Sequence, residues 1–281
     1  MNALIAIRYR TETLEIKDFV CQCLDCGVSA WEYQENFSIC YIRKGSFIFK
    51  VFNDDLEGYT GKFLLNKPGV THRVKHYHVQ PDECTVISLL PTFYNLIQEQ
   101  FSKRLNGFLS NPDVHSILIN STLENEYLHY RLFTHLSHGN PEPLLIECLV
   151  MDLINNLLSG NSKYNLNRIS DRHKQLYLPV VEESKHFLQE NFAENISLEK
   201  IAALSCMSAF HFNRVFKQVT AISPYQYLLQ FRLQHAEQLL KETSESIAAI
   251  GYLSGFNSPD HFSYAFKAKN KLSPMDFRKI V

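Results

Sequence analysis

His211-Phe212, followed by Phe216-Lys217 and Ser223-Pro224, returns fifty positions later as His261-Phe262, Phe266-Lys267 and Ser273-Pro274. Each copy follows a short apolar stretch and a turn. Before the first come Ile201-Ala-Ala203 and Ser205-Cys206-Met207; before the second come Ile247-Ala-Ala-Ile250 and Gly255-Phe256. Phenylalanines at i and i+4 share one helix face, so Phe212 and Phe216 pack inward. Ser208 and Ser258 stand where helix caps belong, and Pro259 opens a helix at the one position where a missing amide costs nothing. The pattern predicts two helix-turn-helix units joined by a long helix from Pro224 to Lys241, with a further helix over Leu178 to Phe192 ahead of them. The faces left outward carry Phe210, His211, Asn213, Arg214 and Lys217 in the first copy. In the second they carry Asn257, Ser258, Asp260, His261, Ser263, Tyr264 and Lys267. An arginine and an asparagine near a helix N-terminus suit docking into the major groove of double-stranded DNA, with Ser208 at the cap.

This stretch strongly resembles the AraC/XylS family of bacterial transcription regulators. The matching residues are Ile201-Ala202, Ser208, Phe212-Asn-Arg214-Val-Phe216-Lys217, Ser223-Pro224, Tyr227, Arg232, Ala236, Leu239-Leu240, Ile247, Ile250, Gly255-Phe256, Phe262, Phe266-Lys267, Pro274 and Phe277-Arg278. The resemblance covers residues 178–281 and implies two reading helices set into successive major-groove segments. It also implies an N-terminal cupin-like barrel that binds an effector, a helical segment that forms a homodimer, and RNA polymerase as a partner if the protein activates. Several positions depart from the family pattern. Gly251 stands where the family usually has Ala, Tyr264 where it often has Arg, and Ala221 and Lys271 where it has Gly before Ser-Pro. These departures predict that the second helix is the weaker reader.

The 281 residues suit two domains, with 45% apolar and 20% charged side chains. No apolar run approaches twenty residues, and the first sixteen are interrupted by Arg8, Arg10 and Glu12, so neither a membrane span nor a signal peptide is expected. Seven cysteines, an odd number, argue for a reducing cytoplasm over a disulfide framework. Net charge is −1, and residues 180–281 carry eleven Lys and Arg against ten Asp and Glu, a net of +1. Bulk charge therefore gives no push toward nucleic acid. The positive charge is local, at Lys267, Lys269, Lys271, Arg278 and Lys279.

The expected fold class is α+β in two domains. A small N-terminal β-barrel or sandwich over residues 1–90 is followed by a helical, dimerising segment over 91–160. A linker over 161–176 then leads to the all-α DNA-binding domain over 177–281. Phe37 to Ile42, Gly45 to Phe52, Lys62 to Leu65 and Cys84 to Leu90 read as strands, and Asn53-Asp-Asp as a turn. Tyr94, Ile97, Phe101 and Leu105 fall at helical spacing, as do Tyr127, Tyr130, Leu132 and Leu136. Leu144 to Leu158 is apolar almost all round, as in a helix buried on several sides.

Two constellations in this half invite chemistry. Cys21, Cys23 and Cys26, joined by Cys84, His72, His76 and His78 if the strands converge, suit a soft metal such as Zn²⁺ or Cu⁺, or a redox sensor. The same thiols suit a plain apolar role. His76, His78 and Glu83 resemble the first metal-binding motif of catalytic cupins, but no second histidine strand follows. No catalytic residue is assigned. The leading expectation is a transcription regulator that senses a small molecule, a metal or a redox signal. The alternative is an enzyme, either a metal cupin or a cysteine alkyl acceptor, fused to a DNA-binding tail.

Overall fold

Phe37-Ser-Ile-Cys-Tyr-Ile42 is apolar at nearly every position because its strand is covered on both faces. The computed structural model describes residues 3–22, 27–52, 54–76, 81–101, 107–137, 141–159 and 171–280. It divides into two compact units, Met1–Asn165 and Leu166–Val281. The strands of the first are β1 (Ala3–Arg10), β2 (Leu14–Cys21), β3 (Glu32–Gln34), β4 (Phe37–Lys44), β5 (Ser46–Val51), β6 (Asp54–Tyr59), β7 (Lys62–Asn66), β8 (Val70–His76), β9 (Glu83–Leu89) and β10 (Ser116–Asn120). Its helices are α1 (Pro91–Phe101), α2 (Leu123–Ser137) and α3 (Pro143–Leu158).

The strands form a six-stranded sheet ordered β1-β2-β9-β4-β7-β10 and a four-stranded sheet ordered β3-β8-β5-β6. Among the described residues no strand pairing joins the two sheets into a closed ring. Strand alternation decides what each face meets. Phe37, Ile39 and Tyr41 of β4 join one core with Tyr94, Leu132, Leu149 and Leu153 from the helices. Cys40 and Ile42, on the other face, meet Phe47, Phe49 and Val51 of β5 between the sheets.

Three elements differ from the sequence reading. Ser116-Ile-Leu-Ile-Asn120, inside the stretch expected to be helical, is a strand paired with β7, Ile117 lying opposite Leu65. Strand and helical parts therefore share one core across residue 90. Asp54 and Asp55 begin β6 opposite Val51 and Lys50, where a turn was expected; Asn53 lies outside the described residues. Helix α3 keeps one outward stripe of Leu144, Cys148, Asp152 and Asn155. No helix among the described residues is long and apolar enough to cross a membrane.

The second unit is helical: α4 (Asp171–Glu190), α5 (Leu198–Leu204), α6 (Ala209–Thr220), α7 (Pro224–Glu242), α8 (Ile247–Leu253), α9 (Pro259–Asn270) and α10 (Pro274–Arg278). Helix α4 begins inside the stretch read as linker, whose residues 161–170 lie outside the described ones. Each helix from α5 to α10 opens on a serine: Ser197, Ser208, Ser223, Ser246, Ser258 and Ser273. In every case the hydroxyl accepts from the amide three residues on. Each such cap contributes about 1 kcal/mol and fixes where its helix starts. At Ser223 the cap is reciprocal, because the Gln226 side chain accepts from the Ser223 amide.

Candidate nucleic-acid interface

Helix α6 buries Phe212, Val215, Phe216 and Val219. The phenyl rings of Phe212 and Phe216 lie 5.7 Å apart, and Phe216 meets Tyr227 of α7 edge-on at 5.8 Å. Helical spacing leaves Phe210, Arg214 and Lys217, at i, i+4 and i+7, on the opposite face, all exposed. Asn213, half-buried, flanks that row, and so does Gln218, exposed one turn beyond Arg214. Gln218 was not singled out from sequence, although its i+8 spacing from Phe210 carried the signal. His211 turns sideways and packs edge-on against Tyr177 of α4 at 6.0 Å. Ser208 is occupied as the cap, accepting from the His211 amide at 3.3 Å.

Helix α9 repeats this geometry. Phe262, Ala265 and Phe266 are buried against Ile250, Phe256, Ala236 and Leu240. Asp260, Tyr264 and Lys267 form its outward row, with Ser263 half-buried beside them. His261 packs edge-on against Phe256 at 5.5 Å, and Ser258 accepts from the His261 amide at 3.2 Å. Asn257 is exposed. It has no counterpart in the first unit, since Met207 runs directly into Ser208 whereas Phe256 is followed by Asn257 before Ser258. Scanning helices therefore repeat at an offset of 49, Ser197 to Ser246, and reading helices at 50, Ser208 to Ser258.

The two helix-turn-helix units are clamped together. Arg232 of α7 donates to the carbonyl oxygens of Phe192 and Glu194, each at 2.7 Å. Burial lowers its pKa from the ordinary value, with Tyr225 opposing. Gly255, in the turn of the second unit, sits against the same corner at φ +81°. A Cβ there would come within 2.6 Å of the Phe192 carbonyl and 2.8 Å of the Arg232 guanidinium. Only glycine fits both that φ and that approach. At the equivalent turn of the first unit Cys206 also has positive φ, +53°, but is exposed.

A family model described as a helix-turn-helix domain matches residues 201–280. The regulator ArgR of Pseudomonas aeruginosa is 32% identical over 129 residues, 45% of this chain and 38% of its own length. The transcriptional activator RhaS of an Enterobacter strain is 37% identical over 93 residues, 33% of this chain and 34% of its own. The chain carries an AraC-type helix-turn-helix domain. The matched part spans less than half of each of these relatives. Among solved structures, an apo form of a ToxT variant from Vibrio cholerae aligns over 96% of this chain and 97% of its own, at 16% identity and a TM-score of 0.43. The DNA-binding domain of AdpA, solved with a target DNA, aligns over 36% of this chain and 90% of its own, at 28% identity and a TM-score of 0.35.

Departures from the AraC-type pattern acquire physical reasons. Gly251 does more than weaken a helix, because a Cβ there would lie 3.1 Å from the buried ring of Phe262. Ala221 and Lys271 end α6 and α9 in the left-handed conformation, at φ +65° and +63°, where glycine is relaxed and other residues are strained. Asp276 of α10 is held below the ordinary carboxylate range by the Ser273 hydroxyl, which donates at 2.6 Å, with Lys279 and Lys267 adding to the effect.

The N-terminal candidates are placed as follows. Cys23, Cys26 and His78 lie outside the described residues. Cys21 is buried at the end of β2, where its amide donates to the Asp82 carbonyl at 2.8 Å. Cys84 faces the layer between the sheets, and its hydrogen bond with Cys40, followed by burial, pushes its pKa well up. That keeps the sulfur protonated and a poor nucleophile. His72 stacks on Phe49 at 4.6 Å, and burial lowers its pKa against the pull of Glu32. His76 is hydrogen-bonded to Asp82, whereas Glu83 turns toward Arg43 and Lys44. The cupin-type reading had paired His76 with Glu83. Asp82, just ahead of β9, is the acid that meets His76. Among the described residues no three histidine, cysteine or acidic side chains converge to hold a metal ion.

Proposed function

We propose that the protein is a sequence-specific DNA-binding transcription regulator whose N-terminal unit senses a small molecule, a metal or a redox signal. The observation that carries the reading is the pair of outward rows, Phe210-Arg214-Lys217 and Asp260-Tyr264-Lys267, on helices held together by Arg232 and Gly255. Base edges are read by side chains at a helix face, and Arg and Asn at α6 suit guanine and adenine in the major groove. Lys217 and Lys267 supply phosphate contacts, which set register and make affinity fall with salt. The names of the matched relatives, a regulator and an activator, agree with this reading.

The N-terminal unit is read as the effector module, cupin-like in role, with residues 91–160 supplying a homodimer contact. Effector binding shifts the population of DNA-competent states, and RNA polymerase is the further partner if the outcome is activation. Work on chromosomal DNA places the protein in the cytoplasm.

The test is selection of duplexes from a random-sequence pool by the full-length chain, followed by footprinting. Enrichment of one motif, protected over two adjacent major-groove segments per chain, supports the reading. Retention that never enriches a motif and tracks only ionic strength contradicts it.

A further inference from the structure

The outward rows of the two reading helices differ most in chemical kind at the second residue of each helix, Phe210 in α6 and Asp260 in α9. Phe210 is 80% exposed, more than any other large apolar side chain among the described residues. Its ring points away from the core that Phe212 and Phe216 enter, so the fold gains nothing from a phenyl there. The side chain shares its row with Arg214 and Lys217, on a face that holds no acidic residue of α6.

The N-terminal residues of a reading helix are the ones that meet base edges. Phosphate and sugar offer a phenyl ring little, since they are met through hydrogen bonds and charge. Among the four bases, one major-groove feature is apolar, the 5-methyl group of thymine. Asp260, at the equivalent place in α9, has no use for a methyl group. A carboxylate there is repelled by phosphate and accepts a hydrogen bond from the cytosine amine.

We infer that Phe210 is a specificity-determining residue that reads a thymine methyl, so that thymine is required beneath the start of α6 and not at the matching place beneath α9. This deepens the DNA-binding reading and rests on it.

Uracil differs from thymine only by that methyl, which makes the test direct. The full-length chain is bound to its selected duplex, with deoxyuridine replacing each thymidine in turn. One substitution in the segment under α6 lowers wild-type affinity about fourfold, the worth of one buried methyl group. Phe210→Ala binds the thymine and uracil duplexes equally. Because Phe210 is exposed, this variant keeps the wild-type circular dichroism spectrum. The inference is overturned if no uracil substitution lowers wild-type affinity, or if the loss persists in Phe210→Ala, as it would were the ring a protein–protein contact. Failure to select any motif would instead overturn the DNA-binding reading beneath it.

Discussion

Phe210, Arg214 and Lys217 stand on α6 where Asp260, Tyr264 and Lys267 stand on α9. One row carries two positive charges; the other carries one of each sign. Inward, the helices agree: Phe212 and Phe216 match Phe262 and Phe266, and the serine caps match as well. Packing dictates the inward residues, since a buried ring in a close-packed core tolerates little change. Solvent dictates nothing comparable outside. Val215 and Val219 of α6 do give way to Ala265 and Lys269 of α9, but the outward difference has no packing demand behind it and supports the proposal that α6 is the stronger reader. The turns differ for the opposite reason. Cys206 is exposed to solvent, whereas Gly255 is pressed against Phe192 and Arg232, so the second unit carries the joint that fixes both.

Substitution at those two turns should separate the units most. Gly255→Ala adds left-handed strain and a methyl group to a filled corner, and is expected to lose about 2–4 kcal/mol. Cys206→Ala, already carrying a Cβ at positive φ in solvent, should stay within about 0.5 kcal/mol of wild type. Urea denaturation of the two variants measures both, and equal losses would show that the corner is not the joint.

The helix ends give a smaller effect. Ala221→Gly should stabilise by about 0.5–1 kcal/mol by relieving the strained left-handed cap. Lys271→Gly should gain less, because it also removes a positive charge from the C-terminus of α9. Thermal melts of the two variants rank them; a larger gain at Lys271 would reverse the assignment of strain.

Smallest is Gly251→Ala. Propensity favours alanine by about 1 kcal/mol, but crowding against Phe262 costs a similar amount, so stability should change by less than about 1 kcal/mol. The first unit has Ala202 at the matching place, buried with its Cβ already accommodated, and Ala202→Gly should lose the full propensity difference of about 1 kcal/mol. A clear gain from Gly251→Ala, read by the same denaturation, would mean that Phe262 has room to move.

Much of the second unit was legible in the sequence because its signals are local. Serine caps, prolines at first turns and phenylalanines at i and i+4 act within a few residues. The clamp was not legible, since Arg232 meets Phe192 forty positions away and nothing near either residue announces it. The β-rich half was harder for the same reason. Strand β10 pairs with β7 across about fifty residues, and the short run Ser116 to Asn120 lies between two helical periodicities that mask it. The partner of His76 depends on which of two adjacent acids faces inward. The choice between Asp82 and Glu83 is invisible without the sheet.

The most direct measurement compares wild type, Arg214→Ala and Tyr264→Ala for affinity to the selected duplex and to unrelated DNA, at one ionic strength. Arg214→Ala should weaken selected-site binding by about 1–3 kcal/mol and unrelated binding far less, with Tyr264→Ala costing less selectivity. A larger loss of selectivity in Tyr264→Ala, or equal losses on both duplexes for Arg214→Ala, would contradict the assignment of α6 as the dominant reader.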